Sequence, residues 1–218
     1  MEHGLLGVPD AGAFLARLTR LDPEAPVRLR AGGGRTALWA RLPWDVLVTR
    51  EVAGHGPADA TVSAAELLEV LASGGTRLPE RRDALWRWPL PPSGGESVEA
   101  VAVAELSRLA EAAAGTLRDV SSAGLSGRAV GQRAVRDALL DHVALVVTPP
   151  DGAAIDVPQR VVQAVFRMGF LGPATADRPE ARVRVSGRWV GLSAPYGAAW
   201  LQRVSALSLL SAGGHPNG

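Results

Sequence analysis

The chain has 218 residues but no cysteine and no lysine, so all 23 of its basic residues are arginine. Without lysine it cannot form a Schiff base, anchor pyridoxal phosphate or place a P-loop lysine on nucleotide phosphates. Without cysteine it has no thiolate nucleophile, disulfide, iron–sulfur ligand or thiolate zinc site. Because arginine codons can be GC-rich and lysine codons are AT-rich, this bias also predicts a GC-rich bacterial genome.

Histidine is scarce as well, and the chain contains only His3, His55, His142 and His215. Asp137 and Asp141 lie one helical turn apart beside His142, but Arg133 precedes them at the same spacing, which is typical of a surface charge ladder. The segment Gly124-Leu125-Ser126-Gly127 does not have the spacing of a nucleophile elbow. We therefore predict no metal site and no cofactor, and the sequence favours a protein that is not an enzyme.

Long apolar runs are also missing. No segment approaches the ~18 apolar residues that a membrane helix needs, and the start Met1-Glu2-His3 lacks the basic and apolar regions of a signal peptide. Hydrophobic residues nevertheless make up 47% of the chain and charged residues 21%, which is enough to bury a substantial core. These features predict a cytoplasmic globular protein.

The hydrophobic spacing predicts an α+β fold made of two helix-plus-antiparallel-hairpin units, with additional helices between them. A helix over 10–21 precedes a hairpin over 27–48, and a helix over 156–168 precedes a hairpin over 182–193. Both hairpins alternate basic and apolar residues and continue into Trp, Leu and Pro. A distant internal duplication and a chance effect of composition both explain this recurrence. A duplication predicts an approximate two-fold axis and a shared sheet.

The composition divides the chain into an N-terminal α+β unit (1–75), a Pro- and Trp-rich connector (76–96), a C-terminal α+β unit (97–210) and a flexible tail (211–218). Within the connector, Trp86 and Trp88 are expected to pack onto one of the units as part of a rigid strap.

Four helix starts can be predicted from capping residues and helical spacing. They are Asp10, the Ser63–Glu66 capping box, Ser126 and Asp156. A further helix of about 20 residues is expected to begin at Ser97, because Val98 and Val101 continue into a helical apolar pattern.

Positive charge is concentrated near the C-terminus, where residues 157–218 hold seven arginines against two acidic residues. Helix 156–168 and the following hairpin resemble the end of a winged helix-turn-helix module, in which a helix reads bases and a hairpin contacts phosphates. The candidate nucleic-acid-binding residues are Arg160, Gln163, Arg167, Arg182, Arg184 and Arg188. The alternative is an amphipathic helix and a half-buried hairpin with solvated arginines.

Three functional hypotheses follow from these observations. The first is a non-enzymatic binding protein whose partner is another protein or a second copy of the chain in a homodimer, since tryptophans and strand edges offer contact surface. The second is a nucleic-acid-binding protein that uses the six residues above. The third is an acid–base enzyme for a small molecule, which needs a cleft lined by carboxylates such as Asp45 and Asp83 or by His55 or His142.

Overall fold

A computed structural model describes residues 1–123, 132–149, 152–173 and 179–203. The first part contains α1 (Val8–Leu21), β1 (Pro26–Gly32), β2 (Arg35–Arg41), β3 (Leu47–Ala53), β4 (Ala60–Ser63) and α2 (Ala64–Ala72). The second part contains β5 (Glu96–Ala102), α3 (Val103–Ala123), α4 (Gln132–Asp141), β6 (Val143–Val147), β7 (Ile155–Pro158), α5 (Gln159–Arg167), β8 (Glu180–Ser186), β9 (Trp189–Ala194) and β10 (Gly197–Gln202). The predicted tail 211–218 and the predicted helix start at Ser126 lie outside the described residues.

Eight strands form one antiparallel sheet in the order β4-β1-β2-β3-β10-β9-β8-β5. In each half, three consecutive strands follow a helix, and the third strands of the two halves, β3 and β10, pair with each other. The outermost strands, β4 and β5, are each followed directly by a helix. The order therefore reads alike from both edges, and the α+β prediction with two helix-plus-hairpin units is confirmed.

The helices cover one face of this sheet, which we call the helix face. Alternate strand residues such as Val27, Leu38 and Leu192 join residues from α1, α2, α3 and α5 in one buried cluster. Phe14 from the first half stacks on Phe170 from the second half, with ring centroids 6.3 Å apart and planes 8° apart. The main hydrophobic core is thus continuous across both halves.

The opposite face, which we call the outer face, carries the second apolar cluster. Leu47, Trp189, Ala198 and Trp200 are buried there beneath Trp86, Trp88 and Leu90. The last three belong to residues 82–95, which we call the strap because they run from strand β4 at one edge to strand β5 at the other. Trp86 and Trp88 therefore pack onto the sheet as predicted, but against residues of both halves rather than of one.

Hydrogen bonds fix the strap at both ends. At the β4 edge, the backbone N–H of Arg82 donates to the carbonyl oxygen of Thr61 over 2.7 Å. At the far end, Ser186 Oγ donates to the carbonyl oxygen of Pro92 over 3.2 Å, and Arg184 donates to the carbonyl oxygen of Gly95. The β4 edge is therefore covered rather than left open to another strand.

Three predicted helix starts are wrong. Residues 96–102 form β5 rather than the start of a helix, because their backbone completes a ladder with β8, and long-range pairing outweighs local helical spacing. Asp156 lies in β7 opposite Val146 instead of capping α5. Asp10 lies inside the first turn of α1, where its carboxylate binds Arg50 at 2.6 Å. The Ser63 cap is confirmed, since its side chain accepts from the N–H of Glu66.

No helix among the described residues is both long enough and apolar enough to cross a membrane.

Candidate functional site: an arginine-lined groove

The structure places the six candidate nucleic-acid-binding residues on opposite sides of the sheet. Arg160, Gln163 and Arg167 belong to α5 on the helix face. In β8, Val183 enters the helix-face core, so the alternating positions Arg182 and Arg184 lie on the outer face. The remaining candidate, Arg188, is exposed in the β8–β9 turn. The six residues therefore do not form one continuous surface, and their role in nucleic-acid binding stays a prediction.

Two of the three polar residues that the sequence places on the nucleic-acid-binding side of α5 contact other parts of the protein instead. Gln163 is only 9% exposed, and its Nε2 donates to the carbonyl oxygen of Ala110 over 2.8 Å. Arg160 is paired with Asp141 and donates to the carbonyl oxygen of Trp44 over 3.1 Å. Of the three candidates in α5, only Arg167 is exposed.

The resemblance to a winged helix is not supported by the architecture. A wing is a hairpin at the margin of a small domain, whereas β8 and β9 lie inside an eight-stranded sheet between β5 and β10. The sheet also separates the outer-face arginines of β8 from α5. The helix-then-hairpin order is instead one half of a larger two-part sheet.

A groove opens on the outer face where the two halves meet. The β3–β10 ladder covers only Leu47–Thr49, although β3 continues to Ala53. The Pro195–Tyr196 turn lies beside this overhang, and strap residues 90–95 form another wall. The resulting open cavity has a volume of about 930 Å³.

Charged side chains from both halves line this groove. On the outer face the lining contains Arg30, Arg35, Arg184 and Glu51, and beyond the end of the β3–β10 ladder it also reaches Arg50 and Asp10 on the helix-face side of β3. Arg50 binds Asp10 at 2.6 Å and Arg35 binds Glu51 at 3.1 Å. Within each pair the positive and negative charges cancel. Arg184 has no acidic partner among the described residues, and Arg30 lies 3.7 Å from Asp59, a carboxylate that Arg28 already holds at 2.6 Å, so these two arginines supply the remaining positive charge of the lining.

Two polar atoms in the groove side chains are buried without a hydrogen-bond partner. They are Thr49 Oγ1 and Arg184 Nε, and among the described side chains no other buried nitrogen or oxygen atom lacks a partner. Leaving a buried polar atom unpaired costs about 1–3 kcal/mol, and more for a charged group. Both atoms belong to side chains that line the groove. A buried unpaired polar atom calls for a partner, and a small side-chain rotation toward the groove would give each atom access to one.

The charged residues at the β4 edge hold the strap in place. Arg28 Nε and Nη2 donate to the two carboxylate oxygens of Asp59 over 2.7 and 2.6 Å. This pair raises the pKa of Arg28 and lowers the pKa of Asp59. The backbone N–H of Thr61 donates to Asp83 Oδ1 over 2.7 Å, which lowers the pKa of the Asp83 carboxyl.

Arginine and tryptophan side chains add a second set of strap contacts. Arg28 lies over the ring of Trp86 at 5.6 Å, and Arg41 lies over the ring of Trp88 at 4.9 Å. Trp86 Nε1 donates to the carbonyl oxygen of Trp88 over 2.7 Å. Each of the two cation–π contacts between arginine and tryptophan contributes about 0.5–2 kcal/mol to stability.

We expect acid to loosen the strap. Folding lowers the pKa of Asp59 and Asp83, so their stabilisation is complete above the usual aspartate pKa of about 3.9. It is lost as the pH falls through the lowered values, when both carboxyls become protonated. Tryptophan emission should therefore shift to longer wavelength in this acid range, before global unfolding followed by far-ultraviolet circular dichroism.

The Asp83→Asn variant provides the matched test at neutral pH, since it removes the charge without changing the size of the side chain. It should show the same emission shift at pH 7, whereas Asp22→Asn, at the C-terminal end of α1 on the helix face, should not. An identical acid profile in Asp83→Asn and the parent chain would contradict this account of the anchor.

Each half of the chain matches a family model. Residues 7–88 match a domain of unknown function, DUF8010, and residues 90–206 match a domain of unknown function, DUF8185. No curated protein matches the chain significantly in sequence. The junction between the two matches falls within the strap.

Solved sliding clamps share the fold. The DNA polymerase sliding clamp from Pseudomonas aeruginosa superposes with a TM-score of 0.58 at 14% identity, over 94% of this chain and 65% of the clamp. The DnaN sliding clamp from Bartonella birtlesii gives 0.56 at 13% identity, over 94% of this chain and 65% of that one. The DNA polymerase III beta subunit from Thermotoga maritima gives 0.52 at 14% identity, over 93% and 64%.

This chain thus spans about 65% of the length of the clamp chains that it resembles. At such low identity the likeness concerns the arrangement of helices and strands. With a match over more than half of its residues, the chain belongs to the DUF8185 family, and its α+β fold is that of sliding-clamp domains.

Proposed function

We propose that this chain is a non-enzymatic interaction protein that holds an acidic segment of a partner protein in the outer-face groove. The observation that carries the proposal is the excess of arginine over carboxylate in the lining of the groove, to which the side chains of Thr49 and Arg184, each with an unpartnered polar atom, also belong. A carboxylate accepts hydrogen bonds from a hydroxyl and from a guanidinium, so acidic groups at different positions of one extended segment suit the two side chains.

The groove chemistry supports binding rather than catalysis. No histidine lines it, and its two carboxylates, Asp10 and Glu51, are each paired with an arginine. Of the other acids considered, Asp45 is paired with Arg41 and Asp83 with Arg81. A general base needs a carboxylate or imidazole free to accept a substrate proton, and these pairings do not favour one.

The same lining favours a peptide over a nucleic acid. Carboxylates interrupt the arginines of the lining, a pattern that matches a segment with a few well-placed acidic groups better than a continuous polyanion. Single-stranded nucleic acid usually stacks its bases on open aromatic rings. In the groove Trp200 is only 7% exposed, and Tyr196, which is 43% exposed, already has Arg50 over its ring at 5.4 Å. Strap residues Ser93, Gly94 and Gly95 instead offer backbone groups to an extended chain.

A fluorescence-anisotropy titration tests this proposal. The probe is a fluorescein-labelled peptide of alternating Glu and Ala, and the matched control peptide has Gln in place of Glu. We expect the Glu peptide to bind and the Gln peptide not to bind. Because a hydrogen bond to a charged group is worth about 1.5–3 kcal/mol, the double variant Arg30→Gln/Arg184→Gln should weaken binding about 100-fold.

The control variant is Arg87→Gln. Arg87 is exposed on the strap and does not line the groove, but it carries the same charge. It should change the affinity less than about twofold after correction for ionic strength. A loss of binding free energy in Arg87→Gln of about half that in the groove variant, which removes two charges, would show that binding depends only on net charge, and would contradict the proposal.

Nucleic-acid binding is the second candidate. It is favoured by the exposure of Arg182 and Arg188 next to the outer face and by the fold, which this chain shares with proteins described as DNA polymerase sliding clamps. It predicts that mixed-sequence duplex DNA binds at low salt with an affinity that falls steeply as salt rises. Arg182→Gln/Arg188→Gln should then reduce the salt slope by about two, and absence of binding at low salt would exclude this candidate.

A further inference from the structure

A second cavity lies on the helix face, on the far side of the sheet from the groove. Its volume is about 260 Å³, or roughly nine water molecules. Residues of α3, α4 and α5 line it together with Leu21 and Trp44 from the first half of the chain. Like the groove, it therefore forms only when the two halves are assembled.

Two glutamines of α5 form the polar part of this cavity. Gln159 is 4% exposed and Gln163 is 9% exposed. Their Nε2 groups donate to the carbonyl oxygens of Leu109 and Ala110 over 3.3 and 2.8 Å, which fixes both carboxamides against α3. Each carboxamide keeps a second N–H on Nε2 that can donate to an acidic ligand, besides an oxygen that can accept.

Two arginines complete the lining. Arg136 from α4 and Arg167 from α5 both border the cavity. The described contacts of Arg136 are to the adjacent, exposed Asp137 at 3.3 Å, a pairing of a kind that contributes little. Most of the remaining wall is aliphatic or aromatic, including Leu139, Leu140 and Trp44.

We propose that this cavity binds a small carboxylic acid with an apolar chain, of the medium-chain fatty acid type. The two guanidinium groups would hold the carboxylate at the mouth, and the apolar wall would cover the chain. The volume limits the ligand to the lower end of the size range of small-molecule sites. Fixed polar groups beside an apolar wall are the usual composition of such sites. This site is separate from the groove and does not depend on the function proposed for it.

Titration with sodium octanoate, followed by tryptophan emission and by calorimetry, tests the proposal. Octanoate should bind, and 1-octanol, which has the same chain without the charge, should bind at least tenfold more weakly. The emission change should disappear in Trp44→Phe while the calorimetric binding remains, because Trp44 is the tryptophan that borders the cavity.

Variants separate this site from other apolar surfaces. Arg136→Gln/Arg167→Gln should weaken octanoate at least tenfold and leave octanol unchanged, whereas Arg108→Gln, an exposed change elsewhere on α3, should have no effect. Ala113→Leu, which adds volume inside the cavity, should abolish binding of both. Equal affinity for octanoate and octanol, insensitivity to the double variant, or no octanoate binding would each overturn the proposal.

Discussion

Phe170→Ala is expected to lower the free energy of unfolding by about 3–5 kcal/mol. Phe170 is fully buried and stacks on Phe14 from the other half of the chain. Its backbone N–H donates to the carbonyl oxygen of Val165 over 2.9 Å, directly after Gly169, whose φ of +67° ends α5. With this backbone held, the surrounding core cannot easily close around the missing ring, so a cavity remains between the two halves.

Urea denaturation followed by circular dichroism measures this loss. The matched control is Leu6→Ala, because Leu6 is 73% exposed and its loss should change stability by less than about 0.5 kcal/mol. The parent chain should unfold in one transition, since both halves share one sheet and one core. A loss below about 1 kcal/mol in Phe170→Ala would contradict the continuous core described above.

Trp200→Ala is the second large effect that we expect, and it acts on the other face of the sheet. Trp200 is 7% exposed and packs over Gly191, where an added Cβ atom would lie only 2.6 Å from its ring. Its ring also forms the floor beneath the strap and part of the groove. Removing it should cost about 3–5 kcal/mol and release strap residues 86–90 from the sheet.

Hydrogen exchange measured by mass spectrometry separates these two consequences. Strap peptides of Trp200→Ala should exchange much faster than those of the parent chain, whereas α1 peptides should change only through the global loss of stability. Trp44→Ala is the matched control, because Trp44 packs on the helix-face core, away from the strap. Equal acceleration of the strap in both variants would contradict the assignment of Trp200 as its support.

The periodic patterns of the sequence were sufficient to predict the two units. The alternation of Val27 and Leu29 with arginine predicted β1, and the corresponding alternation around Val183 and Val185 predicted β8. The shared sheet was expected only on the hypothesis that this recurrence reflects a duplication. These features depend on local alternation, so they can be read without knowing which distant segments pair.

Strand β5 could not be predicted in the same way, because Val98 and Val101 also fit a helix and only the β8 edge decides between the two conformations. The groove has the same origin in long-range pairing. Arg30 and Arg184 are 154 positions apart and share one groove because β3 pairs with β10. The one available signal was the alternate spacing of arginines in β1, β2 and β8, which marks a common strand face but not its partners.

Hydrogen exchange of the full chain with and without the Glu–Ala peptide tests the central claim most directly. We predict slower exchange in strap residues 90–95 and in the overhang of β3 at residues 50–53, with no change in α5. The protection should disappear in Arg30→Gln/Arg184→Gln and persist in Arg87→Gln. Protection confined to α5, or peptide binding that leaves the strap and β3 unprotected, would contradict the assignment of the outer-face groove as the binding site.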